Sequence, residues 1–459
     1  MSHRCCSDFS RTEMLRNAAA AAGRALPDPD PRMPTPAGTG LDRRHVLLRS
    51  AGVALSVYGA TRLRLPMLEE GIAEAAAGPP QPVLVSVFLA GGIDSLSVLA
   101  PVGDPRYRKL RPTLALGESE GTAFSEDGRL RWHPAASGLT ALHQEGKVSV
   151  MPGVGYDHPD QSHFNSRHFW EVGALNRQLR TGWLGRYLDR TGTGGNPLQG
   201  LCFDGRLAPA LATSKVPIAT VSGRGTFDFD APGVWGEVED WMREALANVG
   251  YRHVGGRDPA LRQAGAVAVQ SATLRRQLEP LGAGSGTPPV PYPADEGGDF
   301  PQSMAALAAM IAAGLPLRCV ALTAYGGYDT HDDQPADLEE GLKAVSDTLL
   351  SFQRDLEARG VADRVLLQVW SEFGRRAEEN ASKGTDHGAA GVGFLIGSRA
   401  RGTMIGEFPG LDRLDEDGNL RATLDFRSLY CSLLEQWLGT EGSAVITDAA
   451  RFPRSQLLK

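Results

Sequence analysis

The stretch Val83-Leu84-Val85-Ser86-Val87-Phe88-Leu89, followed by Ala90-Gly91-Gly92-Ile93-Asp94-Ser95, decides how this chain is read. A nearly continuous apolar run rich in valine predicts a strand buried on both faces, and such strands belong to sheets covered on both sides. The run stops at a glycine pair and delivers a carboxylate, so the end of the strand carries a polar turn. The same grammar recurs three times downstream. Val148-Ser149-Val150-Met151 runs through Pro152-Gly153-Val154-Gly155 towards Gln161-Ser162-His163-Phe164. Leu317-Arg318-Cys319-Val320-Ala321-Leu322-Thr323 runs into Gly326-Gly327-Tyr328-Asp329-Thr330-His331. Val365-Leu366-Leu367-Gln368-Val369-Trp370 runs into Ser371-Glu372-Phe373-Gly374-Arg375. Between the last two, Leu338, Leu342, Val345, Leu349, Phe352 and Leu356 form the stripe of an amphipathic helix, closed by Arg359-Gly360. A second helix, rich in Ala and Met, is expected over 303–313. Strand, glycine turn, helix and strand predict an α/β fold, an α/β/α sandwich around a mostly parallel sheet. Ligands in such sheets bind beyond the carboxyl ends of the strands.

The chain has 459 residues, 42% hydrophobic and 22% charged, with a formal net charge of −7. That is the composition of a soluble globular protein, and it carries no basic, aromatic-interleaved segment of the kind that binds nucleic acid. No run reaches the roughly 18 uncharged apolar residues that a stable membrane span needs. Five cysteines without a CxxC pair exclude a disulfide-stapled scaffold; Cys319, inside an apolar run, reads as a buried, inert thiol. Residues 1–40 read as a disordered leader containing Cys5 and Cys6. Residues 41–78 read as a twin-arginine export signal and linker, with Arg43-Arg44 ahead of a weakly apolar, Gly- and Ala-rich stretch. Ala75 and Ala77, just before Pro79-Pro80, mark the expected cleavage region. That leader implies the twin-arginine machinery as a partner and the periplasm, envelope or exterior as the destination. Export in the folded state also suits a protein that takes up a metal before it leaves. Residues 79–459 read as a single domain, with 200–300, weakly periodic and Gly/Pro-rich at 282–293, as an insertion or cap.

The chemistry-bearing residues sit in the strand-end turns. Asp329-x-His331 and Asp386-His387 each place a carboxylate beside an imidazole, a pairing that suits a metal and also suits an Asx-turn. Asp94 reads either as a helix N-cap or as a metal ligand at the end of a central strand. Ser162 reads as an N-cap or as a nucleophile, with His163 and His158 as rivals for a functional role. Glu372 and Arg375 read as a solvated ion pair or as a carboxylate that orients a ligand beside an anion-binding guanidinium.

Several blocks together resemble one family. They are Phe88 to Ser97 with Gly91-Gly92-Ile93-Asp94-Ser95 at its centre, Pro101 with Asp104-Pro105-Arg106-Tyr107, Leu110-Arg111-Pro112, Ser162-His163-Phe164, and Gly182-Trp183-Leu184-Gly185-Arg186-Tyr187. Gly326 to His331, Ser371 to Arg375, Gly384-Thr385-Asp386-His387-Gly388, Asp425-Phe426-Arg427 and Trp437-Leu438-Gly439 complete the set. Their order resembles the bacterial exported family catalogued as domain-of-unknown-function 1501, over about residues 83–439. That family resembles in turn the alkaline phosphatase superfamily of phosphatases, sulfatases and cofactor-independent phosphoglycerate mutases. The resemblance implies an α/β/α sandwich with two adjacent metal sites at the strand ends. One site would take Asp94, Asp386, His387 and the nucleophile Ser162; the other would take Asp329 and His331. The usual third member of the second site is a later His, and no His follows His387, which points to one ion rather than two. Mixed Asp/His ligation suits zinc or manganese more than magnesium or calcium. The sulfatase Cys/Ser-x-Pro-x-Arg sequence is missing; the nearest run, Cys202-Phe203-Asp204-Gly205-Arg206, has Asp in place of Pro. Export argues against a phosphomutase, whose sugar phosphates are cytoplasmic. The expectation is a metal-dependent hydrolase of phosphate or related esters, acting on a small-molecule or envelope-polymer ester. The alternative is a non-catalytic exported binding protein on the same fold.

Overall fold

The computed structural model describes residues 56–58, 76–221, 237–259, 287–294 and 297–459, with scattered residues between 261 and 272. The Arg43-Arg44 pair and most of the leader lie outside the described residues. In chain order the strands are β1 (Val83–Phe88), β2 (Val148–Gly155), β3 (Gly200–Cys202), β4 (Ile218–Thr220) and β5 (Cys319–Thr323). They continue with β6 (Val365–Trp370), β7 (Arg375–Glu379), β8 (Thr385–His387), β9 (Gly391–Ile396) and β10 (Leu424–Asp425). The helices used below are α1 (Ser137–Gln144), α2 (His163–Val172), α3 (Phe300–Ala312), α4 (Gln334–Ala358) and α5 (Phe426–Gln436). The helix expected at 303–313 is therefore α3, and the stripe from Leu338 to Leu356 is the buried face of α4.

Contacts between Cα atoms divide the chain into two compact units. One comprises Pro82–Leu175, Pro288–Ala305 and Leu322–Lys459; the other comprises Asn176–Thr287 and Ala306–Ala321 with the described residues up to Gln81. In the first unit the sheet order is β1-β6-β9-β2-β10. β1 and β6 run parallel, from Val83 opposite Val365 to Phe88 opposite Trp370. β9 is antiparallel to both β6 and β2, so β1, β6 and β2 all point the same way and end at the same edge. In the second unit β3 is parallel to β4 and to β5, and Ser56–Tyr58 runs antiparallel to β4. Among the described pairings of the large sheet, outside two small antiparallel sheets, four are parallel and three antiparallel, the mostly parallel α/β class expected.

All six residues of β1, and all six of β6, are buried. β2 runs four residues further than the sequence indicates, through Pro152-Gly153, because the register against β9 shifts between Gly391 and Gly393 and absorbs the irregularity. An aromatic stack fixes α2 on this sheet. Trp170 lies against Trp370 at 5.4 Å and 12°, and against Phe426 of α5 at 4.7 Å and 20°, while Phe88 meets Trp370 at 4.5 Å. Tyr430 of α5 donates a hydrogen bond to the Trp170 carbonyl at 3.0 Å. Aromatic pairs of this kind contribute about 0.5–1.5 kcal/mol beyond the area they bury. Their effect here is positional, because α2 begins with His163. Cys202, Cys319 and Cys431 are free and buried, and burial pushes the Cys319 thiol up to about 12, as expected of an inert thiol.

Helix α4 is held against α1 by a close backbone approach at Gly138, where a Cβ would lie 2.4 Å from the Ser346 carbonyl oxygen. Leu139 N–H donates to Ser346 Oγ at 2.9 Å beside it. Helix propensity alone favours Gly138→Ala by about 1 kcal/mol. The steric contact decides the sign, and the substitution is expected to destabilise by about 1–3 kcal/mol. The check is a lowered urea midpoint at unchanged slope.

Candidate metal centre

Within the first unit, the centre is built from the turns after β1, β2 and β6, the turn 326–331 and strand β8. Gly91 and Gly92 adopt φ of +115° and +77°, open only to glycine at little cost. A Cβ on Gly91 would stand 2.4 Å from the Asp329 amide nitrogen, so the two turns touch through backbone. The turn aims both amide N–H groups at the Glu372 carboxylate, with distances of 3.0–3.2 Å. Ser371 Oγ accepts from Gly92 and Ile93 N–H at 3.1 Å each. Glu372 is only 1% exposed. Burial would raise its carboxyl; the hydrogen bond from His163, with those from the backbone N–H groups, counters burial, and it lies below the ordinary value. An ionised carboxylate only accepts, so His163 Nδ1, 2.8 Å from Glu372 Oε1, is the donor.

His387 is oriented the same way. Its Nδ1 lies 2.9 Å from the Gln161 carbonyl oxygen, which can only accept. In the neutral rings, both His163 and His387 therefore present lone pairs at Nε2. Those two atoms are 3.0 Å apart. Asp329 Oδ1 is 3.4 Å from the first and 3.3 Å from the second. Two lone pairs and a carboxylate oxygen face one another, an arrangement that a positive charge must relieve. His163, Asp329 and His387 are the one group among the described residues that could hold a metal ion by ligand-atom proximity. Bonds of about 2.0–2.2 Å to tetrahedral zinc put donor atoms roughly 3.3–3.6 Å apart, so the observed spacings need little adjustment. The partners on the far ring nitrogens are those that orient metal-ligating histidines. His331 Nε2 lies across the Asp329–His387 edge, 3.1 Å from each, and its Nδ1 is 3.2 Å from Asp386 Oδ1. Burial would raise the Asp329 carboxyl; when His163, His331 and His387 are in their charged forms, their ring N–H groups donate to it and hold it far below the usual carboxylate range.

Among the residues read from the sequence, the structure thus brings together His163, Asp329, His331, His387 and Glu372. Asp386 is adjacent but serves the back of the His331 ring. Glu372 and Arg375 do not form the solvated pair considered above, because both are buried and each has other partners. Arg375 donates to the carbonyls of Gly91, Gly92, Tyr328 and Thr385 and to Asp329 Oδ1, the last at 2.7 Å. Its guanidinium ties the turns together and orients Asp329 instead of facing an anion. Ser162 is half-buried at the start of α2 and makes no side-chain capping bond; its N–H donates to Asp160 Oδ1 at 3.0 Å. His158 is exposed and lies outside the group.

Asp94 is not brought into the centre. It caps the short helix Ser95–Val98, and both oxygens are engaged by the fully buried Arg111, with Nη2 to Oδ1 at 2.8 Å. Ser97 Oγ and Gln334 Nε2 each donate to Oδ2 at 2.6 Å. Arg111 and Gln334 were not singled out by sequence reasoning. The block Leu110-Arg111-Pro112 was the available signal for the first, but a lone arginine before proline does not say which carboxylate it meets.

Residues 242–445 match the model of the family described as a protein of unknown function, DUF1501, which is the family indicated by the motif blocks. No curated protein matches the chain. Among solved structures, the C-terminal periplasmic domain of EcEptC from Escherichia coli is similar at 9% identity and a TM-score of 0.33, over 81% of this chain and 87% of that one. PsFucS1 sulfatase from Pseudoalteromonas sp. is similar at 12% identity and 0.33, over 86% and 76%. The lipoteichoic acid synthase LtaP from Listeria monocytogenes is similar at 9% identity and 0.28, over 83% and 81%. Among the described residues no helix is long and apolar enough to cross a membrane.

The Asp94–Arg111 pair yields a signed prediction. Burial would raise Asp94, and the Arg111 charge and hydrogen bonds overcome this and hold its carboxyl below the ordinary value. The pair's contribution to stability is thus complete above about pH 4 and is lost as pH falls through the lowered folded value. Arg111→Met strands the buried carboxylate and is expected to cost about 3–5 kcal/mol at pH 7. The difference from wild type should shrink below about pH 4, where Asp94 can be protonated. Urea unfolding at pH 7 and pH 3.5 checks both statements.

Proposed function

We propose that the protein is an exported hydrolase of phosphate or related esters. It would use one divalent ion, zinc or manganese before magnesium or calcium, held by His163, Asp329 and His387 with His331 alongside. The observation that carries this reading is the fixed tautomer of two facing histidines. Glu372 and the Gln161 carbonyl commit both Nδ1 atoms as donors, leaving both Nε2 lone pairs facing the half-buried Asp329 carboxylate. When bound, such an ion lowers the pKa of a coordinated oxygen and offsets charge developing on a phosphoryl group.

The chain's own residues divide the work. Glu372 holds the His163 ring, Asp386 holds His331, and Arg375 holds Asp329 by a direct 2.7 Å bond. Ser162 is assigned as the nucleophile: it immediately precedes a ligand, and its hydroxyl is not committed to capping α2. The Arg43-Arg44 segment supports export by the twin-arginine route, and a small-molecule or envelope-polymer ester is the substrate class that fits that location. One observation favours a second reading, a non-catalytic exported binding protein. Arg375, which bonds Asp329, is committed to protein oxygens and is not presented to an anionic ester.

Elemental analysis of protein purified without chelator tests the reading. Wild type is expected to carry close to one equivalent of zinc or manganese, and Asp386→Ala/His387→Ala little or none. Protein without metal, or a double variant with full metal content, would overturn it. Turnover separates the two readings: hydrolysis of phosphate mono- or diesters that chelator abolishes supports the enzyme. A metal-loaded protein that turns over neither supports the binding role. Ser162→Ala is expected to lower turnover by at least about 100-fold with metal content unchanged.

A further inference from the structure

We propose that Gln334 is a positioning residue for the cation site, setting the spacing between the turn that carries Asp329 and His331 and the strand that carries Asp386 and His387. The inference rests on the metal-binding reading above. Gln334 is the first residue of the 25-residue helix α4 and is 1% exposed. Its carboxamide has one arrangement compatible with its neighbours. Nε2 faces the acceptor-only Asp94 carboxylate at 2.6 Å, so Oε1 faces the opposite way. There it accepts from Thr330 Oγ1 at 3.0 Å and from Thr385 Oγ1 at 2.6 Å.

Those two threonines are placed to matter. Thr330 stands between Asp329 and His331, and Thr385 directly precedes Asp386-His387. Thr385 N–H also donates to the Thr330 carbonyl at 3.0 Å, so the segments are already neighbours. Arg375 also joins them, donating to the Thr385 and Tyr328 carbonyls and to Asp329 Oδ1, but none of these bonds fixes the threonine side chains between the ligands. Two hydroxyls meeting on a single amide oxygen add a side-chain tie directly beside the ligands of both segments. Behind the amide, Asp94 is immobilised by Arg111, whose remaining donors reach the carbonyls of Ala377 at 3.0 Å and Arg376 at 2.9 Å. A clamp therefore runs from Arg111 through Asp94 and Gln334 to the two ligand-bearing segments, and every group in it is buried.

The chemistry also explains the residue type. Glutamate at 334 would set a second carboxylate against Asp94, and a hydrocarbon side chain would remove one donor from Asp94 Oδ2 and the shared acceptor of both hydroxyls. Only a carboxamide of this length donates in one direction and accepts twice in the other. Asp94, which the sequence presents as a ligand, acts from behind the ligands through this amide.

The test is zinc affinity of the full chain, measured by competition with a chromophoric chelator, alongside urea unfolding of the metal-free protein. Gln334→Met is expected to weaken zinc binding by about 10- to 100-fold, as loss of supporting hydrogen bonds to a metal site does. Thr385→Val, which leaves Gln334 bonded to Thr330 and Asp94, should weaken binding in the same direction and carries the test if Gln334→Met does not fold. Tyr292→Phe is the control. It deletes a 3.1 Å bond to Asp355 near the other end of α4, roughly 30 Å away at 1.5 Å per residue. It should lower stability and leave zinc affinity unchanged. Folded Gln334→Met or Thr385→Val with wild-type zinc affinity would overturn the proposal while leaving the metal site standing. Wild type that binds no zinc or manganese would remove the metal-binding reading, and this one with it.

Discussion

The carboxylate of Glu372 organises the centre. It sits at the end of a fully buried strand, where an isolated charge would cost many kcal/mol, and it is kept ionised because the environment supplies donors from two directions. The glycine pair after β1 turns two amide N–H groups onto it, and His163 supplies a ring N–H. Each of these donors acquires its own role from the arrangement. The glycine turn is locked against Asp329, the imidazole is locked in one tautomer, and the helix that carries that imidazole is pinned on the sheet by Trp170. If this carboxylate lost its charge or its position, the lone pair that His163 presents would lose its direction.

Around that carboxylate the molecule repeats one device, which is to use buried charge for alignment within the protein. Arg375 binds four backbone carbonyls and Asp329; Arg111 binds Asp94 and two more carbonyls. Both guanidinium groups are planar forks with five donors, suited to joining several chain segments at once, a task that a lysine ammonium would perform less well. Charged residues that a reader of the sequence would assign to substrates are here committed to holding loops.

The strands were legible because burial on both faces leaves a signature in the sequence: β1, β6 and the helix α4 follow directly from runs and stripes of apolar residues. The strand-end location of the centre was legible for the same reason, since the turns after these strands carry Asp329, His331, Glu372 and His163. Partner choice was not legible. Whether Asp94 meets a metal or Arg111 is settled by which loop crosses above it, and Arg111 arrives from a segment 17 residues on with no periodicity to announce it. The fate of Glu372 and Arg375 was equally hidden, because spacing along a chain is silent about burial after a turn. The path of β2 through Pro152-Gly153 was missed because a register shift in the neighbouring strand, and nothing in β2 itself, makes it possible.

The bonds that build the centre span very long stretches of chain. Gly91 and Glu372 are separated by 281 positions, His163 and His387 by 224. Closing such loops opposes assembly through chain entropy, and contacts of this kind form late and slowly compared with local ones. On a ribosome, no part of the group can be complete until the segment carrying His387 has emerged, by which time β1, β2 and β6 have all been made. The site therefore has no precursor: it comes into being with the finished fold, and a chain arrested or cut before position 387 lacks the second imidazole of the group.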